Sequence, residues 1–123
     1  VQLGAALRQR AAALSAGAVR PEQYTAGGLT VDFDKRLVRV EGKDIHLTQI
    51  EYKIVEFLAR HPGRVMTYDA IMIHVWGPYL TDDNKILRVN MANIRRKLEK
   101  NPAEPQYIQT EMGIGYRIAE EDS

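Results

Sequence analysis

Two hydrophobic rhythms divide the chain. Between Tyr24 and Leu47 the period is two: Leu29, Val31 and Phe33 alternate with Thr30 and Asp32, and Leu37, Val38 and Val40 follow with Arg39 among them. Glu41-Gly42 reads as a turn, after which Ile45 and Leu47 continue the pattern. This predicts short antiparallel strands joined by tight turns, a sheet too small to stand without a helix over one face. From Thr48 onward the period lengthens to that of a helix. Thr48-Gln49-Ile50-Glu51 is a capping box, Leu47 and Tyr52 are spaced for its hydrophobic staple, and Ile50, Ile54, Phe57, Leu58 and His61 are expected to form the apolar face. Pro62-Gly63 stops this helix. Thr67 can cap a second one, Tyr68 to about Trp76, burying Ile71 and Val75 and ending at Gly77-Pro78.

After a loop at 77–83 comes the most informative stretch. Leu87, Met91, Ile94 and Leu98 are spaced by four, three and four, one apolar stripe of a helix. Lys85, Arg88, Arg95, Arg96 and Lys97 share the segment with no acidic residue. At about 100° per residue, Lys85, Arg88, Val89, Ala92, Asn93 and Arg96 fall opposite the stripe. One face can bury itself while the other meets a polyanion. Asp82 or Asp83 is expected to cap this helix and Asn101-Pro102 to end it. Tyr107–Thr110 and Gly115–Ile118 then read as two strands around a turn at 111–114. A basic amphipathic helix followed by a hairpin reads as a DNA recognition helix with a wing, against the plainer alternative of a solvated surface helix. Gly113-Ile114-Gly115 is not a phosphate loop, since no third Gly follows at the required spacing and no helix opens after it.

Composition narrows the picture. A chain of 123 residues with 45% hydrophobic content suits one core plus a tail or linker. Cys is absent, which excludes a disulfide framework and a thiolate zinc site and fits a reducing, cytoplasmic setting. His46, His61 and His74 lie on different elements without acidic partners at ligand spacing, so no metal and no cofactor are expected. No apolar run approaches the roughly 18 residues of a membrane span, and no signal peptide is expected. Starting at Val1, the chain reads as a fragment. Net charge is only +1, from 17 basic and 16 acidic residues, so nucleic-acid binding has to come from a local patch. No nucleophile–base pair or paired carboxylate set stands out, which argues against an enzyme.

The element order and four ordered motifs carry a family resemblance. Leu47-Thr48-Gln49-Ile50-Glu51-Tyr52, His74-Val75-Trp76-Gly77, Asn93-Ile94-Arg95-Arg96-Lys97-Leu98-Glu99 and Gly113-Ile114-Gly115-Tyr116-Arg117 resemble the C-terminal effector domain of OmpR/PhoB-type response regulators. Ile86–Met91 and Asn101–Pro105 look most like the potassium-responsive KdpE branch. The resemblance covers about residues 23–119. It implies an α+β winged helix-turn-helix with an N-terminal antiparallel sheet, three helices and a C-terminal β-hairpin wing. It also implies a receiver-helix end and linker at 1–22, an output domain at 23–119 and an acidic tail at 120–123. Its partners would be double-stranded DNA bound head to tail as a dimer on direct repeats, its own receiver domain, and RNA polymerase through Pro78, Tyr79, Leu80, Thr81 and Asp82. The receiver's phosphoacceptor Asp belongs to a domain outside this sequence.

Candidate DNA contacts follow from the two readings together. Arg88 is first choice for a base, with a phosphate as the alternative. Asn93 can pair with adenine or remain a surface amide; Val89 and Ala92 are small enough for close approach and contact with a thymine methyl. Lys85, Arg95 and Arg96 suit phosphates, with an i,i+4 ion pair to Glu99 as the alternative for Arg95. Thr110, Met112, Gly113, Tyr116 and Arg117 belong to the wing, Tyr116 being a packing residue in the plainer reading. Ala92, Asn93 and Met112 stand where the family often carries Arg, so the base readout is expected to differ. Trp76 anchors its loop to the core or contacts polymerase. A winged-helix interaction module without specific DNA binding is the competing function, and the acid-free basic face is what discriminates against it.

Overall fold

A computed structural model describes residues 22–78 and 84–122. Four strands, β1 (Gln23–Ala26), β2 (Leu29–Asp32), β3 (Leu37–Val40) and β4 (Lys43–Ile45), form an antiparallel meander in the order β1-β2-β3-β4. The register pairs Val40 with Lys43 across a two-residue turn in which Glu41 (φ 53°) and Gly42 (φ 79°) are both left-handed. That is the turn whose twist matches a hairpin. Tyr24, Ala26, Leu29, Val31 and Val38 are buried on one face of the sheet. Phe33 falls just beyond β2, and the Arg60 guanidinium lies 4.2 Å above its ring.

The buried residues of helix α1 (Gln49–Ala59) join those of the sheet in one core. Its capping box closes as expected: Glu51 N–H donates to Thr48 Oγ1 at 3.1 Å and Thr48 N–H to Glu51 Oε1 at 3.0 Å. The buried face is rotated from the expected one. Tyr52, Ile54, Val55, Leu58 and Ala59 are interior, whereas Ile50, Phe57 and His61 are only partly buried. The helix is covered on two sides, so the stripe read from spacing alone is too narrow. Thr67 caps α2 (Tyr68–Trp76) by accepting from Ala70 N–H at 3.1 Å, and Gly77 at φ 93° ends it. Helix α3 (Lys85–Leu98) buries Leu87, Met91, Ile94 and Leu98 as spaced. Its N-cap is Asn84, not Asp82 or Asp83, and the Asn84 side chain makes no capping hydrogen bond. The helix also ends at Leu98, ahead of Asn101-Pro102, for a reason given below.

The hairpin strands are β6 (Ile108–Glu111) and β7 (Gly115–Ile118). The sequence missed a third partner: β5 (Met66–Thr67) pairs antiparallel with β7, Met66 opposite Tyr116 and Thr67 opposite Gly115, giving the sheet order β5-β7-β6. This ties the wing to the start of α2. Asp122 ties the acidic stretch that follows β7 to the first hairpin. Asp122 N–H donates to Thr25 O at 2.8 Å, and the Asp122 carboxylate accepts Gly27 N–H at 3.1 Å. Tyr24 Oη donates to Ala119 O at 2.5 Å. Burial first, then the charges of Glu121 and Asp122, pushes the Tyr24 phenol well above its ordinary range, so it remains the donor. The expected linker, residues 1–22, lies outside the described residues except for Glu22, whose carbonyl accepts Phe33 N–H.

Candidate nucleic-acid interface

The face of α3 opposite its buried stripe is assembled much as its periodicity requires. Lys85, Arg88, Val89, Ala92 and Arg96 are exposed, with Val89 at 53%, and Asn93 is half-buried. Asn93 Oδ1 accepts a hydrogen bond from Arg96 Nη2. An adenine pair at Asn93 needs that oxygen back, because a side-chain amide meets adenine with both its donor and its acceptor. Arg88 is central on the face, and its side chain makes no hydrogen bond or ion pair among the described residues.

Two cations of the helix are directed inward. Lys97 Nζ lies 2.5 Å from Glu51 Oε1, joining the last turn of α3 to the first turn of α1. Burial pushes the Glu51 carboxyl up, but hydrogen bonds from Lys97 and from Thr48 outweigh it and hold it below its ordinary value of 4.5. A carboxylate depressed on folding stabilises above its unfolded value, so this contribution is present at neutral pH and lost as pH falls below about 4.5. Arg95 reaches the wing: Nη2 donates to Ile108 O at 2.9 Å and to Thr110 Oγ1 at 2.7 Å, and the guanidinium lies 5.4 Å from the Tyr116 ring centre. The i,i+4 pair with Glu99 does not form. Glu99, 6% exposed, instead accepts from Gln106 N–H at 2.6 Å and Ile108 N–H at 3.0 Å, and both its oxygens accept Tyr107 N–H. Glu99 therefore leaves the helix at extended backbone angles and fastens the approach to β6, which is why α3 stops there.

In the wing, Thr110, Met112 and Gly113 are exposed, Met112 at 89%. Gly113 adopts φ 77°, a turn conformation that favours glycine. Tyr116 is 4% exposed, edge-on to Tyr68 at 5.5 Å, which makes it a support under the wing and takes its ring out of reach of a ligand. Arg117 is drawn into an ion pair with Glu111 at 3.0 Å. Trp76 is half-buried against the core and acts as an anchor. Pro78 is exposed, and Tyr79, Leu80, Thr81 and Asp82 lie outside the described residues. His74 and His61 both pack on the Phe57 ring, at 4.3 and 5.3 Å. Among the described residues no three potential metal ligands come together, and no helix is long and apolar enough to cross a membrane.

Residues 42–118 match the family described as "Transcriptional regulatory protein, C terminal". The chain belongs to this family of OmpR/PhoB-type effector domains. Such domains are transcription regulators, not enzymes. The chain is 36% identical to the transcriptional regulatory protein KdpE of Mycobacterium tuberculosis over 117 residues, covering 95% of itself and 50% of KdpE. It spans half or less of the length of the curated relatives it first matches. The response regulator DrrB of Thermotoga maritima, an OmpR/PhoB homolog, superposes with a TM-score of 0.73 at 31% identity, over 79% of this chain and 44% of DrrB. The DNA-binding domain of Klebsiella pneumoniae RstA, solved in complex with the RstA box, gives 0.73 at 28% identity over 80% and 97%. The α+β winged-helix architecture of an OmpR/PhoB-type effector domain is thus shared across the described residues.

Proposed function

We propose that this chain is the sequence-reading output domain of a two-component response regulator, binding double-stranded promoter DNA through α3 and its wing. The observation that carries this is the acid-free face of α3, with Arg88 at its centre, Val89 and Ala92 beside it, and Lys85 and Arg96 at its ends. Small side chains at the centre let the helix axis enter a major groove, and flanking cations suit phosphates. The RstA domain bound to its box supports the same mode here. Lys85, Arg96 and wing donors suggest about 3–5 phosphates per protomer, hence a log–log salt slope of about −3 to −5 per bound copy.

Two copies are proposed to bind head to tail on direct repeats about 10–11 base pairs apart. Sites recovered by selection from random DNA, followed by gel shifts on single, direct and inverted half-sites, test this. A direct repeat should bind most tightly; equal affinity for single and double sites, or preference for the inverted pair, overturns the head-to-tail arrangement, and no selected site overturns DNA reading itself.

Arg88→Ala should weaken specific binding by about 1–3 kcal/mol and relax preference at one or two base pairs. If affinity for specific and random duplexes falls equally, Arg88 holds only phosphate. The 77–83 loop is proposed to contact RNA polymerase. Tyr79→Ala or Leu80→Ala should leave operator affinity within a few-fold while lowering promoter output in a reconstituted transcription assay; equal loss of both would reduce the loop to a support for α3.

A further inference from the structure

The core is not closed at the corner where the β3–β4 hairpin meets the end of α3. A cleft of about 440 Å³ lies there, lined by Val40, Ile45, Leu98 and Tyr107, with Lys43 and Lys100 among its polar residues. That volume falls in the range of roughly 300–1,000 Å³ typical of small-molecule sites. Strand alternation sets its chemistry. The register pairs Val38 with Ile45 and Val40 with Lys43, so these four share one face of the sheet, the face on which Val38 is buried. Arg39 and Asp44 share the other face, joined at 2.7 Å. Lys43 is therefore a cation on the apolar side of the sheet. Its ammonium and that of Lys100 make no hydrogen bond or ion pair among the described residues. The other charges of the cleft are turned elsewhere. Lys97 is held by Glu51 at 2.5 Å, and Glu99 accepts three amide N–H groups. Glu41 reaches back to the β1–β2 turn, into the space that a Cβ on Gly28 would take.

We infer that this cleft binds a small organic anion, a carboxylate on an aromatic or branched-aliphatic body, with the body against Val40, Ile45 and Leu98 and the carboxylate held by Lys43 and Lys100. Apolar walls with a few placed charges are the ordinary make-up of such sites. An ammonium is a point charge that pairs with a carboxylate without the bidentate geometry of a guanidinium. Inorganic phosphate would leave the apolar walls unused and lose more hydration on entry. Leu98, Glu99 and Tyr107 also form the junction of α3 with β6, so an occupant stabilises that junction by mass action. The site is separate from the α3 face, and its readout involves no DNA.

The test titrates naphthoate into the full, isotopically labelled chain and follows backbone amide signals by NMR. Naphthamide serves as the uncharged counterpart, and inorganic phosphate as charge without an apolar body. Naphthoate should give saturable shifts at Lys43, Ile45, Lys100 and Tyr107 and raise the melting temperature. It should bind roughly five- to tenfold more tightly than naphthamide, and phosphate should not saturate over the same range. Lys43→Met keeps an unbranched side chain on the apolar face and removes the charge. It should bring naphthoate down to the level of naphthamide, with naphthamide itself changed by no more than about twofold. Lys100→Gln, on an exposed segment, should weaken naphthoate in the same direction, and melting curves show that each variant is folded. If naphthoate and naphthamide bind alike, or Lys43→Met binds naphthoate normally, Lys43 only lays its stem along the hairpin with its ammonium in water, and the inference falls. It falls equally if naphthoate does not bind, or if the shifts gather at Lys85, Arg88 and Arg96, which would mean an anion on the α3 face. None of these results bears on whether the chain reads DNA.

Discussion

Gly115→Ala should displace the inner strand of the wing and destabilise the domain by about 3 kcal/mol, at the upper end of overpacking substitutions. A Cβ on Gly115 would sit 1.8 Å from Met66 O, 2.7 Å from Met66 C and 2.9 Å from Thr67 Cα. All three atoms are backbone, so no side chain can rotate away. Relief has to come from opening the β5–β7 pairing, which carries Met66 opposite Tyr116 and Thr67 opposite Gly115. Thermal melting followed by circular dichroism should show a drop of roughly 4–8 °C for each kcal/mol lost. DNA affinity should fall as well, since β7 holds Tyr116 under Arg95. A melting temperature within 2 °C of the unaltered chain would mean that β5 is not packed as described.

The second large effect is expected at Glu99. Its carboxylate accepts the N–H groups of Gln106, Tyr107 and Ile108, and Tyr107 and Ile108 are buried. Leaving a buried donor unsatisfied costs about 1–3 kcal/mol, so Glu99→Ala should lose about 3 kcal/mol or more. Glu99→Gln supplies one acceptor but turns an N–H₂ toward other donors, and should also destabilise. Urea titrations of both variants decide this. If Glu99→Ala unfolds at the same urea midpoint, the three amides are served by water and the residue is a surface glutamate.

What was legible in the chain was what local chemistry controls. The Thr48/Glu51 capping box, the Thr67 cap, the Glu41-Gly42 turn and the four-three-four stripe of α3 each depend on residues a few positions apart, and each formed. What escaped was decided by distant partners. Met66-Thr67 is too short to show alternation and becomes a strand only because Gly115 lets another backbone close on it. Glu99 sat at the right spacing for Arg95, but three hairpin amides competed for its oxygens and Thr110 took the guanidinium. Lys97 counted toward the basic helix by composition, yet Glu51, 46 residues earlier, turns it inward. On α3 periodicity identifies which side chains face out, with Asn93 only half-exposed, while Tyr116 reads either as a wing contact or as a packing residue and its burial decides for packing. The expected polymerase loop from Tyr79 to Asp82 lies outside the described residues.

The return of the last residues to the first hairpin has a consequence for how the domain is made. Tyr24 with Ala119, and Gly27 with Asp122, are joined across 95 positions of chain. Such contacts raise the average sequence separation of the fold, which slows folding because long loops close before they are rewarded. On the ribosome the β1–β4 meander emerges first, but its end seam stays open until translation has passed the wing. Up to that point Tyr24 lacks the carbonyl it binds, and Gly27 N–H lacks the Asp122 carboxylate. The first hairpin and the end of the described fold therefore close on each other only after α3 and the wing have both been synthesised.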